Sequence, residues 1–118
     1  MRDITPEDDN FHFASMGDRW WMTETSWFAF CAPERKLGGW FYTMCRPNIG
    51  TVAGGAWVWD DSAHLPWEAL YSRNLTALRI PENPNLNDIT FPTGTSIRTI
   101  APLTSYQLGY EDEDRFRA

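Results

Sequence analysis

Glu24-Thr25-Ser26-Trp27-Phe28-Ala29-Phe30-Cys31-Ala32, Gly39-Trp40-Phe41-Tyr42-Thr43-Met44-Cys45-Arg46 and Thr51-Val52-Ala53-Gly54-Gly55-Ala56-Trp57-Val58-Trp59-Asp60 decide the fold. Each is a short run rich in aromatic and β-branched residues between turn formers, the pattern of a strand rather than a helix. Successive strand residues face opposite sides, so Phe28 and Phe30 share one face and Trp27, Ala29 and Cys31 the other. Both faces are apolar, and the pattern alone leaves open which one meets solvent. Residues 33–39, Pro-Glu-Arg-Lys-Leu-Gly-Gly, read as a loop whose glycines can take positive φ, and Pro47-Asn48-Ile49-Gly50 reads as a tight turn. Three strands joined this way make an antiparallel meander. A turn at Asn48 and Ile49 sets Trp40 opposite Trp57 and Tyr42 opposite Gly55, a large ring over a missing side chain. Gly54-Gly55 in mid-strand marks a bulge, a bend or the close approach of a ligand.

Working outward, residues 60–66 form a polar loop. Residues 67–80 read as a strand, although their first part could be a helical turn after Pro66. Residues 81–88 are a Pro- and Asn-rich loop, and residues 89–91, 95–100 and 104–111 are three further strands. No helix-period segment of useful length occurs, because Gly and Pro punctuate nearly every stretch of ten. The expected fold is therefore all-β and antiparallel. One β domain is expected over residues 11–111, preceded by a flexible acidic arm at 1–10 and followed by a charged end at 112–118.

The length of 118 residues suits a single domain. Sixteen acids oppose ten bases, only one of them lysine (Lys36), for a formal net charge of −6. A nucleic-acid binder needs clustered cations, so no nucleic-acid partner is expected. The longest apolar run, Trp27 to Ala32, spans six residues against the roughly 20 of a membrane-spanning helix. The first ten residues carry no apolar signal segment, which makes the cytoplasm the expected location and free thiols the expected state of Cys31 and Cys45. No phosphate-loop, dinucleotide, zinc-protease or serine-hydrolase motif is present. His12 and His64 are not spaced as a metal pair, and neither metal nor cofactor is expected.

Three features could carry chemistry. Glu24, pointing inward from the head of an aromatic strand, would be a carboxyl group in an apolar setting suited to donate a proton. The alternative is a strand-end carboxylate in solvent, or one paired with Arg46. His64, beside Asp60 and Asp61, is either an acid–base group at a barrel mouth or a solvated loop residue. Trp27, Trp40, Tyr42, Trp57 and Trp59 either line a cavity for a hydrophobic or cationic guest or pack as ordinary core. Seven tryptophans exceed what a core of this size needs.

The acidic residue before an aromatic strand (Glu24 to Phe30), the Pro33-Glu34-x-x-x-Gly38-Gly39 turn, the second aromatic strand and Arg46-Pro47-Asn48-x-Gly50 together resemble the N-terminal region of bacterial carotenoid 1,2-hydratase (hydroxyneurosporene synthase)-like proteins. The resemblance covers roughly residues 20–50. It implies a lipocalin-like antiparallel barrel or half-barrel, the first of two in a longer chain, holding an apolar ligand of terpenoid or lipid kind. The function it implies is a hydrophobic-ligand binding domain. The alternative is part of a cofactor-independent hydro-lyase that protonates an alkene and stabilises the carbocation on aromatic faces. A second barrel or another copy of the chain would then cover open sheet edges.

Overall fold

The computed structural model describes residues 2–113 and the backbone of 116–117. Among the described residues eight strands follow one another: β1 (Glu24–Ala32), β2 (Leu37–Arg46), β3 (Thr51–Asp60), β4 (Tyr71–Arg79), β5 (Asp88–Thr90), β6 (Thr95–Ala101), β7 (Ser105–Asp112) and β8 (Phe116–Arg117). They form two four-stranded antiparallel sheets, β1-β2-β3-β4 and β5-β6-β7-β8. The all-β expectation is met. Among the described residues no ladder joins β4 to β5 or β8 to β1, so the architecture is two sheets.

The first three strands fall where the sequence places them, and the register does too: Trp40 lies opposite Trp57 and Tyr42 opposite Gly55. The two connections share one design. Pro33–Arg35 and Pro47–Ile49 are single 3₁₀ turns, each closed by a left-handed residue whose N–H returns to the proline carbonyl. In the second, that residue is Gly50 at φ 72°. In the first it is Lys36 at φ 53°, not a glycine. Gly38 and Gly39 instead lie inside β2, each under a ring of its cross-strand partner, Trp59 on one face and Phe30 on the other. Of the segment 67–80, Pro66–Glu68 is a 3₁₀ turn and only Tyr71–Arg79 is strand.

Burial resolves the ambiguity of the two apolar faces. Phe28 and Phe30 of β1, Phe41, Thr43 and Cys45 of β2, and Val52, Ala56 and Val58 of β3 point inward. Among the described residues three ring pairs join the sheets: Phe41 stacks on Tyr110 of β7 at 5.7 Å between centroids, Phe28 meets Tyr106 at 5.7 Å, and Tyr71 of β4 meets Tyr110 edge-on at 5.7 Å. Cys45, Val52, Phe91 and Ile97 form the centre of a second cluster, each 2% exposed or less. At about 25 cal/mol per Å² of apolar surface removed from water, this interior supplies the main stabilisation.

The β3–β4 ladder is irregular between Val52 and Gly54, where two residues of β4, Thr76 and Ala77, oppose Ala53 alone. Ala77 sits at φ 58° and Gly54 at φ 145°. A Cβ on Gly54 would come within 2.0 Å of the Tyr42 carbonyl oxygen, and one on Gly55 within 1.8 Å of the Arg73 carbonyl oxygen. The glycine pair thus marks a bulge, and the close approach is by neighbouring backbone.

The acidic N-terminal segment is docked against the fold. Asp9 accepts hydrogen bonds from the Tyr106 hydroxyl at 2.7 Å and the Leu103 N–H at 2.8 Å. Asn10 donates to Asn85 at 2.9 Å and accepts from the Leu86 N–H at 2.8 Å. Asp8 bonds the Thr5 N–H and pairs with Arg2, which holds its carboxyl well below the usual carboxylate range. Phe11 stacks on Phe13 and meets Phe91 edge-on. Residues 5–13 therefore form a strap rather than a loose arm. At the other end, Asp112 belongs to β7 and is buried, and residues 116–117 pair with that strand. Asp114, Arg115 and Ala118 of the expected charged end lie outside the described residues.

Candidate functional site

The residues left by the inward set form the outer face of the β1–β4 sheet, and the rings gather there. Trp27 projects from β1, Trp40 and Tyr42 from β2, and Trp57 and Trp59 from β3. Trp27 is 67% exposed and Trp59 36%, while Trp40, Tyr42 and Trp57 are half-buried by one another. None of the seven tryptophans is buried. Cross-strand pairing produces the cluster: Trp27 faces Tyr42 in the β1–β2 register, and Trp40 faces Trp57 in the β2–β3 register.

Trp40 is the hub. Its ring stands edge-to-face with Trp27 (6.2 Å, 79°) and with Tyr42 (6.4 Å, 84°), and it stacks on Trp57 (5.9 Å, 29°). Trp27, Trp40 and Tyr42 line an open groove of about 270 Å³. Further along the same face, Trp57 and Trp59 join His64, Leu65, Pro66 and Ala69 around a second groove of about 390 Å³. All five predicted ligand-facing rings thus share one face, and that face looks outward.

The two predicted acid–base residues lie apart. Glu24 is on the inner face, in register with Cys45. Its carboxylate accepts a hydrogen bond from the His12 N–H at 2.9 Å and lies 2.9 Å from His12 Nδ1. Its partner is the N-terminal strap, not Arg46. The sheet itself separates Glu24 from Trp40 and Tyr42, so the common pocket that an acid at those rings requires does not form. His64 is exposed in the β3–β4 loop; its N–H and that of Leu65 both donate to Glu68. Its place is the rim of the second groove.

Two arrangements escape sequence reasoning. The first is the His12–Glu24 clamp, which joins residues twelve apart with no motif between them. The second spans the sheets. Asp112 accepts from the Tyr71 hydroxyl at 2.6 Å and pairs with Arg73, and the Tyr71 and Tyr110 hydroxyls lie 3.0 Å apart. Burial, then the hydrogen bonds to Asp112 and Tyr110, push the Tyr71 phenol well above its ordinary value. The available signal was the i, i+2 spacing of Tyr71 and Arg73, which puts two polar side chains on one strand face. Burial, reinforced by the Glu24 charge, pushes the Cys45 thiol up to about 12, whereas Cys31 is exposed. Among the described residues, no three of His, Cys, Asp and Glu converge as metal ligands, and no helix is long and apolar enough to cross a membrane.

By fold and site the chain is an antiparallel two-sheet β protein with an aromatic outer face. No protein-family model, no curated protein and no solved structure matches it.

Proposed function

We propose that this chain binds a hydrophobic small molecule of terpenoid or lipid kind, and that the seat is the outer groove of Trp27, Trp40 and Tyr42. The observation that carries the reading is the exposure of Trp27, at 67%, beside two further rings that wall the same groove. Leaving such rings in water forgoes a burial worth roughly 1.5–3 kcal/mol for a large apolar side chain, which a ligand recovers. The lipocalin-like expectation puts the ligand between the sheets. Phe41, Val52, Phe91 and Tyr110, each 4% exposed or less, fill that space, which favours the outer face. The hydratase alternative needs an acid beside the rings, and Glu24 is on the opposite side of the sheet.

The test is titration with Nile red, an uncharged apolar fluorophore. Binding should quench tryptophan emission and brighten the dye, and both Trp27→Ala and Trp40→Ala should weaken it several-fold. Absence of binding, or binding untouched by either substitution, overturns the reading.

A further inference from the structure

We propose that the guest of the Trp27–Trp40–Tyr42 groove carries a quaternary ammonium head, a nitrogen bearing four alkyl groups. The inference rests on the reading of this groove as a binding site and names its ligand class. An aromatic ring is negative on its face and positive at its edge, and a cation within about 6 Å of the face is attracted to it. A flat neutral guest is best served by parallel faces. Here the Trp40 plane stands at 79° to Trp27 and 84° to Tyr42, so the walls meet at near right angles, as a rounded head requires. Trp57, stacked at 29° behind Trp40, fixes that wall before any ligand arrives, which reduces the ordering cost of binding.

The charges agree. The groove is lined by three uncharged residues, and neither residues 25–32 nor residues 40–45 contain Lys or Arg. The formal net charge of −6 favours the approach of a cation over that of an anion. The lining also distinguishes among cations. A primary ammonium brings three N–H donors, and no carboxylate lines the groove to accept them. A fully alkylated nitrogen brings none, so it enters without leaving a donor unsatisfied.

The experiment compares choline with 3,3-dimethylbutan-1-ol, in which carbon replaces the charged nitrogen at nearly the same shape. Binding is read by tryptophan fluorescence and by NMR shifts of the groove residues. Choline should bind about tenfold more tightly than the alcohol. Trp27→Ala should erase the difference with an unchanged melting temperature, whereas Trp67→Ala should leave it. Trp67 is 78% exposed, lies outside the groove and controls for loss of a surface indole. If the alcohol and Nile red bind and choline binds no better than the alcohol, the cation inference falls and the apolar reading stands. If none of the three binds, both fall. A choline preference that survives Trp27→Ala also overturns the proposal, since the site would then lie elsewhere.

Discussion

The two faces of the β1–β4 sheet come from the same strands, yet they are built oppositely. Inward positions carry moderate side chains in close contact: Phe41, Thr43, Cys45, Val52 and Ala56, all 4% exposed or less. Outward positions carry the largest side chains the sequence has, and Trp27 and Trp59 keep a third or more of their surface in water. The inner face meets β5–β8 across a gap that is already filled. Among the described residues no second sheet covers the outer face; its rings pack on one another, with the β3–β4 loop beside Trp57 and Trp59. Hydrophobicity alone therefore does not say where a residue goes; room on the partner layer does.

The comparison breaks first at Phe41. Phe41→Ala should cost about 3–5 kcal/mol, because the ring stacks on Tyr110 and leaves a void that the sheets cannot close. Urea denaturation measures it, and a loss no larger than that of Trp27→Ala would erase the distinction between the faces. Gly54→Ala should come next. The positive φ contributes roughly 1–3 kcal/mol, and the Cβ contact with the Tyr42 carbonyl adds to it. Thermal melts of Gly54→Ala beside Gly17→Ala separate the two terms, since Gly17 also has positive φ but nothing near its Cβ position.

Asp112→Asn should cost about 1–3 kcal/mol by weakening the acceptor shared by Tyr71 and Arg73. The denaturation midpoint reads this, and Tyr71→Phe in the same background should cost little more. The Cys45 thiol gives a pH signature. Its folded value, about 12, lies above the ordinary thiol value of 9.0, so the unfolded chain loses its proton first as pH rises. Stability is therefore complete below pH 9.0 and declines from there towards about 12. Cys45→Ala should flatten that decline, and in the native protein a thiol reagent at neutral pH should modify Cys31 alone. The smallest effect is expected at Trp27→Ala, within about 0.5 kcal/mol of the parent in stability, because an exposed ring loses little packing.

Much of this was legible in the residues. The β1–β3 meander, its register and the Trp40–Trp57 pairing follow from alternation plus one turn, because a two-residue period and a fixed turn leave a single alignment. The sidedness was not legible, because Phe28 and Trp27 are both apolar and only the position of the second sheet decides between them. The docking of Asp9 and Asn10 was hidden for a different reason. Their partners, Tyr106, Leu103, Asn85 and Leu86, lie 75 or more residues away, and no local pattern marks a hydrogen bond of that range. For Glu24 the residues left open an inward carboxylate or a strand-end one in solvent or paired with Arg46, and its tie to His12 was not legible.

The Asp9–Tyr106 hydrogen bond has a kinetic meaning. It joins residues 97 apart, so it closes a long loop. The entropy of closing a loop grows only with the logarithm of its length, so the bond is affordable at equilibrium. Its timing is another matter. During synthesis the β1–β4 hairpins can pair as they emerge, since Trp27 and Tyr42 are close in sequence. The Asp9 contact must wait until Tyr106 has been made. Asp9 is thus made early and reaches its partner late, and until the second sheet is made the inward face of the first stands without its cover.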